Sequence, residues 1–307
     1  MLSALSPVNP IAATCSHSSV WSDRDVRGSS SRRGFTLVEL LVVIAIIVTV
    51  IAVLFPAIAS VRNRTAVARE MATARNLVTA WSSYATENNG AVIPGYKNGL
   101  PAFDQNGKAI AVETIGVAAA RYVWRLAPYL SFNLRALYID EALQNLEALE
   151  QSEYWNYLYQ TSAYPSLGIN ATWIGGDENQ GAFNPAYLSA YGKFYATRVT
   201  EIRNTGGLIL FASARGIDAN PGETGQLTEG YFRVRSPNFT ASQWGAGYDD
   251  ADPSSYGQLS SRNGGKTVAA FVDGHAEAKH VDELRDMRLW SDQATEPDWK
   301  LTAQATP

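Results

Sequence analysis

The 307-residue chain has a single cysteine, Cys15, and only three histidines. One thiol forms no intrachain disulfide, and this shortage excludes a cysteine-built zinc site. No GxSxG elbow, HExxH zinc helix or phosphate-binding glycine loop occurs. No catalytic residue is therefore assigned, and an enzyme is not expected. Basic residues are also in short supply, with 25 Lys and Arg against 29 Asp and Glu. That balance lacks the basic face that nucleic-acid binding requires, so nucleic acid is not an expected partner.

Charge is scarcest between Phe35 and Ala59, where Glu39 is the only ionisable side chain. The run exceeds the roughly 18 apolar residues from which a membrane-spanning helix is read. Arg24, Arg27, Arg32 and Arg33 precede it. By the positive-inside rule the N-terminus stays in the cytoplasm and all that follows the helix lies across the membrane. Glu39 stands out, because a carboxylate in such a run is functional by default.

The stretch Arg33-Gly34-Phe35-Thr36-Leu37-Val38-Glu39-Leu40-Leu41 resembles the cleavage and N-methylation site of type IV pilins and type II secretion pseudopilins. The resemblance implies a prepilin peptidase that cuts after Gly34 and methylates Phe35. It also implies an inner-membrane location, with the head periplasmic or extracellular. Glu39 becomes the fifth mature residue, and Pro56 falls where the family usually carries a helix-kinking proline. Among packed helices, Glu39 of one subunit would pair with the α-amino group of Phe35 on a neighbour, offsetting the desolvation of both. Other pilin-like subunits are then the partners, and Glu39 serves assembly.

A second export pattern overlaps the first. Ser31-Arg32-Arg33-Gly34-Phe35 fits twin-arginine export, and Ala57-Ile58-Ala59 is a small-x-small cleavage site. On that alternative the chain is released after Ala59 as a soluble enzyme or glycan-binding protein. Against it, the apolar run exceeds the usual signal-peptide core of about 7–15 residues, and a discarded segment has no use for a glutamate.

Residues 1–34 are rich in Ser, Pro and Arg and read as a cleaved leader. They carry four arginines against Asp23 and Asp25, a net of +2, so their removal takes the formal net charge from −4 to −6. Cys15 leaves with them. Residues 35–59 form the transmembrane part of a long helix, and residues 60–89 its amphipathic continuation. There Val67, Met71, Ala74, Leu77, Val78, Trp81, Tyr84 and Ala85 recur at spacings of three and four. Arg62, Arg64, Arg69, Glu70, Arg75 and Glu87 take other positions, and Asn88-Asn89-Gly90 ends the helix. The apolar stripe requires a globular head, residues 90–307. The expected fold is α+β and pilin-like: a long N-terminal helix packed on a C-terminal head with a small antiparallel sheet.

Within the head, helical blocks are expected from Val117 to Leu130 and from Asp140, a candidate cap, through Leu158. Tyr154, Trp155, Tyr157, Tyr159 and Tyr164 suit packing with hydroxyls toward solvent, or stacking against sugars. Strands are read over Ile169–Ile174, Leu208–Ala212 and Tyr231–Val234. The clearest hairpin joins Thr267–Val272 to His275–His280 through Asp273-Gly274, with a two-residue type I′ turn. That register pairs Val272 with His275, Phe271 with Ala276, Ala270 with Glu277 and Ala269 with Ala278. Phe271, Ala276, Ala269 and Ala278 then share a buried face. A closing helix over Asp282–Trp290, capped by Asp282, is expected to follow.

Asp273-Gly274-His275 after an apolar strand also resembles the C-terminal signature of a large set of pseudopilin-like proteins. In many of these a histidine stands ten residues before the aspartate; here that residue is Asn263. Pro165-Ser166-Leu167-Gly168-Ile169-Asn170 and Phe211-Ala212-Ser213-Ala214-Arg215-Gly216 resemble the same set less specifically. Two metal readings remain. His275, Glu277 and His280 are weighed against an ordinary polar turn. Asp249, Asp250 and Asp252, among glycines, suit calcium through carboxylate and carbonyl oxygens, weighed against a solvated acidic loop. No other cofactor is expected.

Overall fold

A computed structural model describes residues 35–104, 106–111, 116–149, 154–218 and 225–304. The expected leader, including Gly34 and Cys15, lies outside the described residues. The chain divides into two units, Met1–Leu54 and Phe55–Pro307, and the boundary falls within helix α1 (Leu37–Glu87).

In the first unit, α1 begins at a reciprocal cap. Thr36 precedes the first helical residue, and its Oγ1 accepts the Glu39 backbone N–H at 3.2 Å. Glu39 Oε2 in turn accepts the Thr36 N–H at 2.8 Å. This is the Thr-x-x-Glu capping box, which satisfies two backbone donors that a helix start leaves without partners. Leu37–Phe55 has a mean hydropathy of 3.2, and none of it is buried. By length and composition it is able to cross a membrane.

In the second unit, residues of α1 at three- and four-residue spacing turn inward. Ala74, Leu77, Val78, Trp81 and Ala85 are buried, with Val67, Met71 and Tyr84 partly covered. The predicted stripe is therefore the packed one. One assignment is corrected: Glu70, placed above off the stripe, is fully buried. It lies four residues before Ala74 and seven before Leu77, so helical geometry puts it on the packed face.

The strands, in chain order, are β1 (Ala102–Phe103), β2 (Ala109–Ile110), β3 (Leu167–Asn170), β4 (Ile209–Ser213), β5 (Arg215–Asp218), β6 (Gln226–Glu229), β7 (Arg233–Val234), β8 (Asn238–Phe239), β9 (Ser242–Gln243), β10 (Lys266–Phe271) and β11 (Ala276–His280). Five form the central sheet in the order β11-β10-β4-β3-β7. Its neighbours are antiparallel except β3 and β7, which run parallel. The fold is α+β. β1–β2, β5–β6 and β8–β9 are separate two-stranded pairs, short enough to leave little periodicity in the sequence.

Both faces of the central sheet are covered. Val268 and Ala270 of β10 join the cluster that includes the α1 stripe, whereas Ala269 and Phe271 join a second cluster with Leu284, Met287 and Trp290. The register between β10 and β4 shifts after Ala270. This irregularity brings Leu210 and Phe211, consecutive residues, into the same cluster, as expected where a bulge interrupts the strict alternation of a strand. Continuous apolar runs in β4 and β10 follow from burial on both faces.

The hairpin differs from its expected register by one residue. Ala270 pairs with Ala276, Ala269 with Glu277 and Val268 with Ala278. The Phe271 N–H donates to His275 O at 2.9 Å, leaving a three-residue loop, Val272-Asp273-Gly274. Gly274 has φ +96°, and a Cβ there would meet nothing within 4 Å. Backbone conformation, not space, selects glycine, as in three-residue hairpins that end on a positive-φ residue.

Helical boundaries differ too. The block expected over Val117–Leu130 is a 3₁₀ turn (Gly116–Ala120), a short α-helix (Val123–Leu126) and a second 3₁₀ turn (Ala127–Leu130). The block from Asp140 is two helices, Asp140–Leu149 and Tyr154–Ala163. The closing helix is replaced by two 3₁₀ turns, Val281–Arg285 and Met287–Leu289. Glu283 accepts the His280 N–H at 2.9 Å and Asp286 accepts that of Arg288 at 2.9 Å, so these two carboxylates take the capping role expected of Asp282. An unpredicted helix, Pro185–Tyr191, starts at Asn184, whose side chain accepts the N–H groups of Ala186 and Tyr187.

Candidate functional site

The N-terminal site contains Phe35, Thr36 and Glu39. Phe35 is 78% exposed. The Glu39 carboxylate accepts from both the N–H and the hydroxyl of Thr36, the latter at 2.7 Å. It is thereby held at the first turn of α1. The helix dipole favours a negative charge there. The capping role was legible as Thr-x-x-Glu but was not read, since Glu39 drew notice as a charge in lipid. Pro56 lies within α1 in the second unit.

In the second unit the structure assembles a group that sequence reasoning missed. Arg262 Nη2 donates to Glu70 Oε1, and Nε donates to Oε2 at 3.4 Å. The same guanidinium donates to Glu229 Oε2 at 3.1 Å, Ala214 O at 3.1 Å and Ser166 O at 2.9 Å. Asn263 Nδ2 donates to Glu70 Oε2 at 2.6 Å. Glu229 also receives Arg215, whose Nη1 reaches Asp250 Oδ1 at 3.0 Å. Charges therefore alternate from Glu70 through Arg262, Glu229 and Arg215 to Asp250. Desolvation alone would pull the Arg262 guanidinium down; Glu70 and Glu229 outweigh it and hold it above its ordinary value. Desolvation would raise Glu229, but the hydrogen bond from Arg215 and the charge of Arg262 hold it below the usual carboxylate range.

Asn263 thus contacts the buried acid of α1. Asp273, Gly274 and His275 build the hairpin loop. Asp273 Oδ1 accepts the His275 N–H at 3.0 Å and lies 2.6 Å from its Nδ1, and the imidazole stacks on Phe271 with centroids 4.2 Å apart. That backbone bond is the first cause of the lowered Asp273 pKa. The Asp273 and Val272 N–H groups donate to Thr205 O and Leu208 O, joining the loop to the approach to β4.

The three acidic-loop residues have separate partners. Asp249 accepts the Ala251 N–H at 2.9 Å, Asp250 takes Arg215, and Asp252 accepts the Ser255 N–H at 3.3 Å. Among the described residues, no group of three His, Cys, Asp or Glu side chains is arranged to hold a metal. Tyr157 and Tyr159 are half-buried against the core, and Tyr159 lies beneath the Arg121 guanidinium, 4.5 Å away.

Gly168 sits where two strands come close together. A Cβ there would come within 2.7 Å of the Arg233 backbone, so only glycine lets β3 and β7 approach. Asn170 Nδ2 donates to both Ile209 O and Trp290 O at 2.9 Å, tying β3 to the C-terminal turns.

No curated protein and no solved structure matches the chain. Residues 29–55 match the prokaryotic N-terminal methylation motif, which is consistent with a prepilin-type cleavage and methylation site in that segment.

Proposed function

We propose that the chain is a structural subunit of a pilin-like filament, of the type II secretion pseudopilin kind, and not an enzyme. Prepilin peptidase removes residues 1–34 after Gly34 and methylates Phe35. The helix then anchors the subunit in the inner membrane, with its N-terminus cytoplasmic and its head periplasmic or extracellular. The observation that carries this reading is the exposed apolar surface of Leu37–Phe55, which needs lipid or like helices to cover it. Cleavage creates an α-amino group at Phe35, directly before the Thr36 that holds Glu39. On assembly the Glu39 carboxylate exchanges its Thr36 bonds for the amine of a neighbouring subunit, a pairing favoured in a dry bundle.

Intact-mass and N-terminal peptide analysis of the protein from native membranes tests the reading. A chain beginning at N-methylated Phe35 is expected, and a soluble chain beginning at Ser60 would overturn it. Glu39→Val should leave insertion and cleavage largely intact while impairing incorporation into filaments; normal incorporation would remove the electrostatic role of Glu39.

A further inference from the structure

Buried arginines elsewhere in the head have visible compensation. Arg233 pairs with Asp177 at 2.5 Å, and Arg262 with Glu70 and Glu229. Arg121 lies over the rings of Tyr159 and Phe232. Arg125 is 8% exposed, yet it has neither a carboxylate nor a ring face as partner among the described residues. Its Nη1 donates to Arg121 O at 2.6 Å, and its Nη2 to Ala119 O at 3.0 Å and Lys97 O at 3.2 Å. These carbonyls fix the guanidinium plane but bring no formal negative charge. Its Nε is buried without an acceptor, as are those of Arg121 and Arg233, so the lack of a carboxylate or ring face as partner is what distinguishes Arg125. Desolvation lowers Arg125 to about 10, so the group remains cationic at neutral pH.

Arg125 borders a cavity of about 280 Å³ walled by Tyr84, Trp124, Tyr129, Pro101 and Pro128. The rings of Tyr84 and Tyr129 meet edge to face at 5.6 Å. The Tyr129 hydroxyl is held by Glu87 at 2.9 Å, which fixes the ring at the helix end. An apolar, aromatic wall beside one immobilised cation is the composition of a small-ligand site, where apolar surface supplies affinity and a single polar group sets orientation. The volume admits little more than one amino-acid residue.

We propose that this cavity binds a carboxylate borne on a compact aromatic or aliphatic body, with Arg125 as its counter-ion. Two sources share that chemistry, the C-terminal residue of a polypeptide and a free small aromatic acid. The site is independent of the filament reading, since none of its residues belongs to the apolar segment of the helix.

The test uses the full chain in detergent, with N-acetyl-phenylalanine, its uncharged amide and phenylacetate as probes, read by calorimetric titration. Both acids, or one of them, should bind and the amide should not. Binding of N-acetyl-phenylalanine alone assigns a polypeptide C-terminus; equal binding of phenylacetate assigns a free acid. Arg125→Gln should weaken binding roughly ten- to hundredfold, the range expected for a hydrogen bond to a charged group. Should that variant fail to fold, Pro101→Trp, at an exposed rim position, should block the cavity with Arg125 in place. Failure of both acids to bind, equal binding of acid and amide, or unchanged binding by the rim variant would each overturn the proposal.

Discussion

Glu39 and Glu70 are glutamates of one helix with opposite surroundings. Glu39 stands in an apolar segment that is wholly exposed, and its carboxylate closes on the nearby Thr36. Glu70 is fully buried and engages Arg262 and Asn263, which lie 192 and 193 residues away in the chain. The difference teaches that a helix charge is informative through what faces it. An acid in an apolar run with only local bonds remains available for a partner outside the chain, whereas one met by a distant arginine holds the fold together.

The comparison breaks most clearly at Glu70. Glu70→Ala leaves Arg262 buried without its closest counter-charge and should destabilise the head by about 3–5 kcal/mol, whereas Glu70→Leu combined with Arg262→Met should recover much of the loss. Chemical denaturation of the detergent-solubilised chain measures both. Next come the apolar residues of the same helix. Leu77→Ala removes a fully buried side chain and should cost about 2–5 kcal/mol. Leu41→Ala, at a position 54% exposed, should leave head unfolding unchanged.

How much of this was legible depends on how local each cause is. The N-terminal methylation motif reads directly because it is set by one-dimensional spacing within residues 29–55. The α1 stripe reads equally well from Ala74, Leu77, Val78 and Trp81, since helical period alone determines it. Glu70 sat on that same stripe, but its cognate Arg262 is identified only by the fold. Asp273-Gly274 correctly marks a turn; the loop length depends on pairing between Phe271 and His275, and the register moved by one. β4 was legible as a continuous apolar run. The two-residue strands had too few residues for any period to appear. Asn184-Pro185 was a readable helix start that went unread.

The far end of the ion-pair chain should respond least. Asp250 pairs with Arg215 while its side chain remains 65% exposed, so Asp250→Asn should cost less than about 1 kcal/mol, with a salt-dependent contribution. A separate, pH-dependent effect is expected on the acid limb at Glu201. Desolvation would raise its pKa, but Lys193 and the Thr197 and Arg198 N–H groups bring it from 4.5 down to about 2. With the folded value depressed, its stabilisation is complete above 4.5 and disappears as the pH falls through about 2. Glu201→Gln should therefore narrow the difference in stability between those two pH values, as followed by acid unfolding.

The position of Arg262 has a mechanical consequence. It joins Glu70 of α1 to the carbonyl just before β3, the carbonyl just after β4 and the last residue of β6. Displacement of that one side chain therefore disturbs several attachment points at once. One guanidinium is thus a shared fastening for four segments that are separated in the chain.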